Sequence, residues 1–81
     1  MTIEAQIKDY IARNLLFSDN GFPYDDQASF LDEGIVDSIG VMELVTFVEE
    51  TFSIKIEDLD VTPENFDSVS KMTAFIRRKT G

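Results

Sequence analysis

Apolar residues return every three or four positions in three separate stretches of this chain, and each such stretch predicts a helix. In the first, Ile3, Ile7, Ile11 and Leu15 recur at four-residue spacing, with Tyr10 and Leu16 widening the stripe. The pattern predicts a helix over roughly residues 3–17, with Thr2 as its N-cap. Glu4/Lys8 and Asp9/Arg13 stand outside the stripe at ion-pair spacing, and Ser18-Asp19-Asn20-Gly21 with Pro23 ends it.

The second stretch runs from Ser38 to Phe52. At about 100° per residue, Leu44, Val45, Val48 and Phe52 fall within about 60° of Val41 and predict the buried stripe. Ile39, Met42, Glu43, Thr46 and Glu50 fall on the other side, with Glu49 at its margin. That side sets two apolar residues beside acids at the surface.

In the third stretch Val69, Met72, Thr73 and Ile76 share a face that Phe75 widens, with Asp67 or Ser68 as the cap. Arg77-Arg78-Lys79 complement the negative end of that helix. Just before it, Thr62-Pro63-Glu64 opens a short turn lasting to about Phe66, with Thr as N-cap and Pro at the first helical position. Ile54-Lys55-Ile56 alternates but has no second strand to pair with, so Ser53 to Val61 reads as an extended link. The long connection from Ser18 to Val36 carries Phe22, Phe30, Leu31 and Ile35, which need a core, and is expected to be an ordered crossover with a tight turn at Gly34. The expected architecture is all-α: three main helices plus a short one, in a single domain over residues 1–81.

Composition changes this picture by exclusion. The chain has no Cys and no His, which removes thiolate metal sites, disulfides and the commonest neutral-pH catalytic groups. No acidic run has calcium-loop spacing: a loop with Gly34 in sixth place would set Leu31 third and Gly40 twelfth. Glu49-Glu50 are adjacent on a helix and do not converge as an acid–base pair. The opening Met1-Thr2-Ile3-Glu4 has no basic or long apolar leader, and no run approaches the ~18 apolar residues of a membrane span. A cytoplasmic monomer is expected.

The formal charge is −9, which argues against nucleic acid or an anionic membrane as partner. Its distribution says more. Between Asp25 and Asp60 lie eleven acids against one base, Lys55. That field is centred on Asp37-Ser38-Ile39, so a visitor to the serine is steered best if it is basic.

Ser38 opens the second helix, where unpaired N–H groups and the positive end of the dipole favour a phosphate. Taken alone, Asp37-Ser38 is a good helix cap. In its setting the chain resembles the acyl and peptidyl carrier protein family. The resemblance rests on Ser29-Phe30-Leu31, Asp37-Ser38-Ile39, Glu43-Leu44-Val45, Glu49-Glu50-Thr51-Phe52, and the tail Thr62 to Val69 with Phe75-Ile76. It implies a four-helix bundle with a long first loop and a short third helix.

The resemblance further implies that Ser38 receives 4′-phosphopantetheine from coenzyme A through a phosphopantetheinyl transferase, which Asp37 helps to engage near its magnesium ion. Ile39, Met42, Glu43, Thr46, Glu49 and Glu50 would be the face read by synthases or transferases with basic docking surfaces. The chain would then be a carrier of acyl or aminoacyl thioesters for fatty-acid, polyketide, lipid or related biosynthesis, with no catalysis of its own. Ile39 in place of the commoner Leu and Gly40 at an often polar position depart from the fatty-acid-synthesis pattern, and Gly34-Ile35-Val36-Asp37-Ser38 with the Thr62 to Val69 tail looks more like stand-alone carriers, including aminoacyl and D-alanyl types loaded by an adenylating ligase. An unmodified acidic adaptor that docks a basic protein through Ile39 and Met42 is the alternative from another class.

Overall fold

The computed structural model describes residues 2–80 and contains four α-helices and one 3-10 turn, with no strand among the described residues. Helix α1 (Ile3–Asn14) starts where Thr2 Oγ1 accepts the Ala5 N–H at 3.0 Å, and it buries Ile7, Ile11 and Ala12. It ends three residues earlier than the apolar period predicts. The Leu15 and Leu16 amides both reach back to the Ile11 carbonyl, and Ser18 N–H reaches that of Ala12 at 2.8 Å with Phe17 left-handed at φ 52°. Such a motif ties off the last carbonyls of a helix, and glycine is its usual left-handed residue.

Two side chains of α1 reach other elements rather than each other. Lys8 pairs with Asp26 of the crossover at 2.9 Å and Glu4 with Arg77 at 3.6 Å, so the expected Glu4/Lys8 pair is replaced by two ties across the fold. Asp9 and Arg13 pair as expected, at 2.9 Å.

The crossover is ordered because it is pinned. Asp67 receives the Phe30 N–H on its carbonyl and the Leu31 N–H and Ser29 hydroxyl on its carboxylate, while Ser70 N–H donates to the Asp26 carbonyl. Phe30 and Ile35 enter the core and Phe22 packs against it. Leu31 does not: it is 59% exposed, its N–H held by the Asp67 carboxylate on the surface of the fold.

Helix α2 (Ser38–Phe52) buries Leu44, Val45 and Val48, with Val41 and Phe52 half-buried at the edges. The link after it is not wholly extended. Ile56 is buried, and Asp58–Asp60 wind into a 3-10 turn where Glu57 N–H donates to the Asp60 carboxylate at 3.1 Å. That hydrogen bond, followed by Lys79 at 3.1 Å, lowers the Asp60 pKa from its ordinary value.

Helix α3 (Pro63–Phe66) begins at Thr62, whose side chain makes no capping bond. Ser68 rather than Asp67 caps α4 (Val69–Thr80), its Oγ accepting the Lys71 N–H at 3.0 Å. Val69, Met72, Thr73, Phe75 and Ile76 are all buried, and α4 packs against each of the other three helices. Arg77, Arg78 and Lys79 hold Glu4, Asn65 and Asp60 respectively, so the basic tail is a set of ties to other elements as well as a complement to its own helix end.

Candidate functional site

Asp37 Oδ1 accepts the Gly40 N–H at 2.8 Å, and the Asp37 carbonyl accepts that of Val41. The cap fixes Ser38 as the first helical residue, exposed to solvent. Neither Ser38 N–H nor Ile39 N–H has an acceptor among the described residues, so two donors at the positive end of α2 stand beside the hydroxyl. Gly40 makes the tight entry to this helix possible. A Cβ there would lie 2.7 Å from Val36 Cγ1, which rides over the first turn.

The chain's other serines sit in different environments. Ser29, Ser68 and Ser18 are half-buried or buried and hydrogen-bonded, to Asp67, Lys71 N–H and Asn20 N–H, and Ser70 is half-buried in the first turn of α4. Ser53 is exposed, but it caps the opposite, negative end of α2 in the left-handed conformation.

Beyond Ser38, α2 presents Ile39 at 72% exposure and Met42 at 59%, with Glu43, Thr46 and Glu50 also exposed. Thr46 Oγ1 donates to the Met42 carbonyl, and Glu43 and Glu50 form no ion pair among the described residues. Glu49 is engaged differently: half-buried, it accepts the Ile56 N–H at 2.9 Å and holds the following link. The expected face is therefore brought together on one helix, with one of its carboxylates committed to structure.

The apolar period left Phe47 unassigned and read Tyr10 as the edge of a core stripe. The two rings stack at 4.2 Å beside Glu43 and Glu50, and the Tyr10 pKa is raised, by burial first and then by those two carboxylates. The helical angle held the signal, because Phe47 falls outside the buried stripe next to Glu43. A small apolar cavity of about 80 Å3 lies between Val41 of α2, Phe30 and Leu31 of the crossover, and Pro63 and Phe66 of α3. No described helix is long and apolar enough to cross a membrane.

The described residues thus form a helical bundle with one outward serine at the positive end of an acidic helix. The family described as "Phosphopantetheine attachment site" matches residues 5–76. The chain is 34% identical over 83 residues to an acyl carrier protein of Desulforapulum autotrophicum, covering 99% of this chain and 100% of that one. A D-alanyl carrier protein of Streptococcus uberis is 31% identical over 77 residues, covering 95% and 94%. An acyl carrier protein of Bdellovibrio bacteriovorus is 30% identical over 79 residues, covering 98% and 96%. The chain belongs to the family of carrier proteins that bear covalent 4′-phosphopantetheine. Its role is that of a carrier, not a catalyst, and it works with a phosphopantetheinyl transferase and partner enzymes.

Proposed function

We propose that the chain is one carrier domain over residues 1–81 and that Ser38 is the residue bearing the arm. One observation supports the choice most: of the two exposed serines, Ser38 lies at the positive end of α2 beside two free amides, and Ser53 at the negative end. A phosphodiester is favoured at the first and repelled at the second. When bound, the arm supplies the terminal thiol for thioester chemistry that a chain without cysteine lacks. The residues do the rest: Asp37 fixes the serine at the helix start and offers its second carboxylate oxygen to the modifying transferase. Ile39, Met42, Glu43, Thr46 and Glu50, with Glu49 at the margin, form the face that basic partner enzymes read.

Incubating wild type and Ser38→Ala with coenzyme A and a phosphopantetheinyl transferase tests this by intact mass. Wild type gains one phosphopantetheinyl group and the variant none; no gain by wild type with several transferases overturns the assignment.

Acyl cargo is the first reading and aminoacyl or D-alanyl loading by an adenylating ligase, supported by the D-alanyl relative, the second; the apolar cavity bears on them only through the length of chain it could take. At about 80 Å3 it is smaller than the ~150 Å3 that accommodates one benzene, so a long acyl chain stays outside unless side chains move. Hydroxylamine should then cleave a long-chain acyl thioester on the arm as fast as the same acyl thioester of free pantetheine. Strong protection of the long-chain thioester would count against a small cargo.

A further inference from the structure

The crossover forms one wall of the small apolar cavity between α2 and α3. Phe30 and Phe66 are its buried lining, and the exposed Leu31 and Pro63 mark its mouth. Val41 of α2 lines it too, and Ser38 lies one turn before Val41, about 60° round the helix, so an arm on Ser38 starts on the cavity's side.

The walls are held in different ways. On the α3 side, Phe66 meets the Phe75 ring of α4 at 5.4 Å and Asn65 accepts a hydrogen bond from Arg78 at 2.9 Å. On the crossover side, Leu31 is too exposed for burial to hold it, and polar bonds take that part. Among the described residues, every hydrogen bond from Ser29, Phe30 and Leu31 to another element goes to Asp67. The Leu31 N–H and the Ser29 hydroxyl donate to its carboxylate, and the Phe30 N–H donates to its carbonyl. Neither helix needs that carboxylate: the Asp67 N–H closes α3 on the Pro63 carbonyl, and Ser68 caps α4. Asp67 also lines the cavity, so one side chain on the α3 side ties down the opposite wall. Bonds to an ionised carboxylate are roughly twice as strong as neutral ones.

We propose that Asp67 is a positioning residue that latches the crossover over the cavity and thereby keeps the cargo of the arm in solvent. The proposal deepens the small-cavity reading and rests on Ser38 bearing the arm.

Its test has two readouts. Benzene is titrated into the unmodified full chain and followed by two-dimensional NMR, since the wild-type cavity of about 80 Å3 falls short of the ~150 Å3 that holds one benzene. Loss of one hydrogen bond to a charged group shifts an opening equilibrium about tenfold, and apparent affinity follows the open fraction. Asp67→Ala should therefore bind benzene about tenfold more tightly than wild type, with shifts centred on Val41 and Phe66. Ser29→Ala should fall between them, and Asp67→Asn, which keeps an acceptor for Leu31 and an amide for Ser29, should resemble wild type. In the second readout, hydroxylamine should cleave an octanoyl thioester on the arm of Asp67→Ala more slowly than octanoyl pantetheine, and that of wild type equally fast. A merely loosened fold would expose the thioester, not protect it. Benzene binding unchanged in both Asp67→Ala and Ser29→Ala, or no protection of the octanoyl thioester in Asp67→Ala, would overturn the proposal. Failure of the arm assignment is read separately, from the mass gain of wild type, because the benzene titration uses no arm.

Discussion

A methyl group at position 40 would meet Val36 Cγ1 at 2.7 Å, and Val36 is β-branched and buried, with little room to turn away. Helix propensity favours alanine over glycine by about 1 kcal/mol, but overpacking of this size costs about 1–3 kcal/mol. Gly40→Ala should therefore lower the urea midpoint, and it should slow arm attachment because the displaced turn carries Ser38; a stabilised variant would refute the packing argument. Thr73 presents the opposite case. It is buried, and its Oγ1 has no hydrogen-bond partner among the described residues. Thr73→Val keeps the shape and removes the unpaired hydroxyl, so stability should rise by about 1 kcal/mol, read as a higher urea midpoint at unchanged slope. The helical period placed both Thr73 in the core and Ser38 at a helix start. It could not show that Thr73 lacks a partner or that Glu49 holds Ile56, because both depend on distances between separate segments.

At the scale of elements, α1 stops at Asn14 although Leu15 and Leu16 continue its apolar pattern. Apolar spacing reports which face is buried, not where the chain turns, and the turn here uses Phe17 in a conformation that favours glycine. Phe17 is 82% exposed, so Phe17→Gly should stabilise the fold by about 1 kcal/mol, observed as a higher melting temperature. The 3-10 turn at Asp58–Asp60 was hidden for a related reason: it is held by polar contacts and buries no residue of its own. Asp60 joins that turn to α4 through Lys79, and its carboxyl is lowered from 3.8, first by the Glu57 N–H and then by Lys79. A lowered carboxylate contributes stability that is present above its unfolded-state value and fades as pH falls through its folded-state value. Asp60→Asn should thus be less stable than wild type at neutral pH, with the gap closing below 3.8. A gap that persists in stronger acid would contradict the ionic origin.

The whole molecule carries a −9 charge and yet has a radius of gyration of 11.5 Å, close to the ~12 Å of a compact chain of this length. The apolar core overcomes a self-repulsion concentrated between Asp25 and Asp60. Raising the ionic strength until the Debye length falls from about 30 Å to about 3 Å should relieve that repulsion and raise the melting temperature by several degrees. Adding a basic amphipathic peptide should have the same sign of effect at low salt only. This field was legible from the order of charged residues alone, since it needs no knowledge of how helices pack. What packing added is its direction: Glu43 and Glu50 are left exposed along α2 with no ion pair among the described residues, while Asp26, Asp60 and Asp67 are spent on ties within the fold. The most direct test of the carrier site is fragment-ion mass spectrometry of the wild-type chain after treatment with coenzyme A and a phosphopantetheinyl transferase. The expected result is one phosphopantetheinyl group located on Ser38; the same group found on Ser53 or any other serine, or retained by Ser38→Ala, would contradict it.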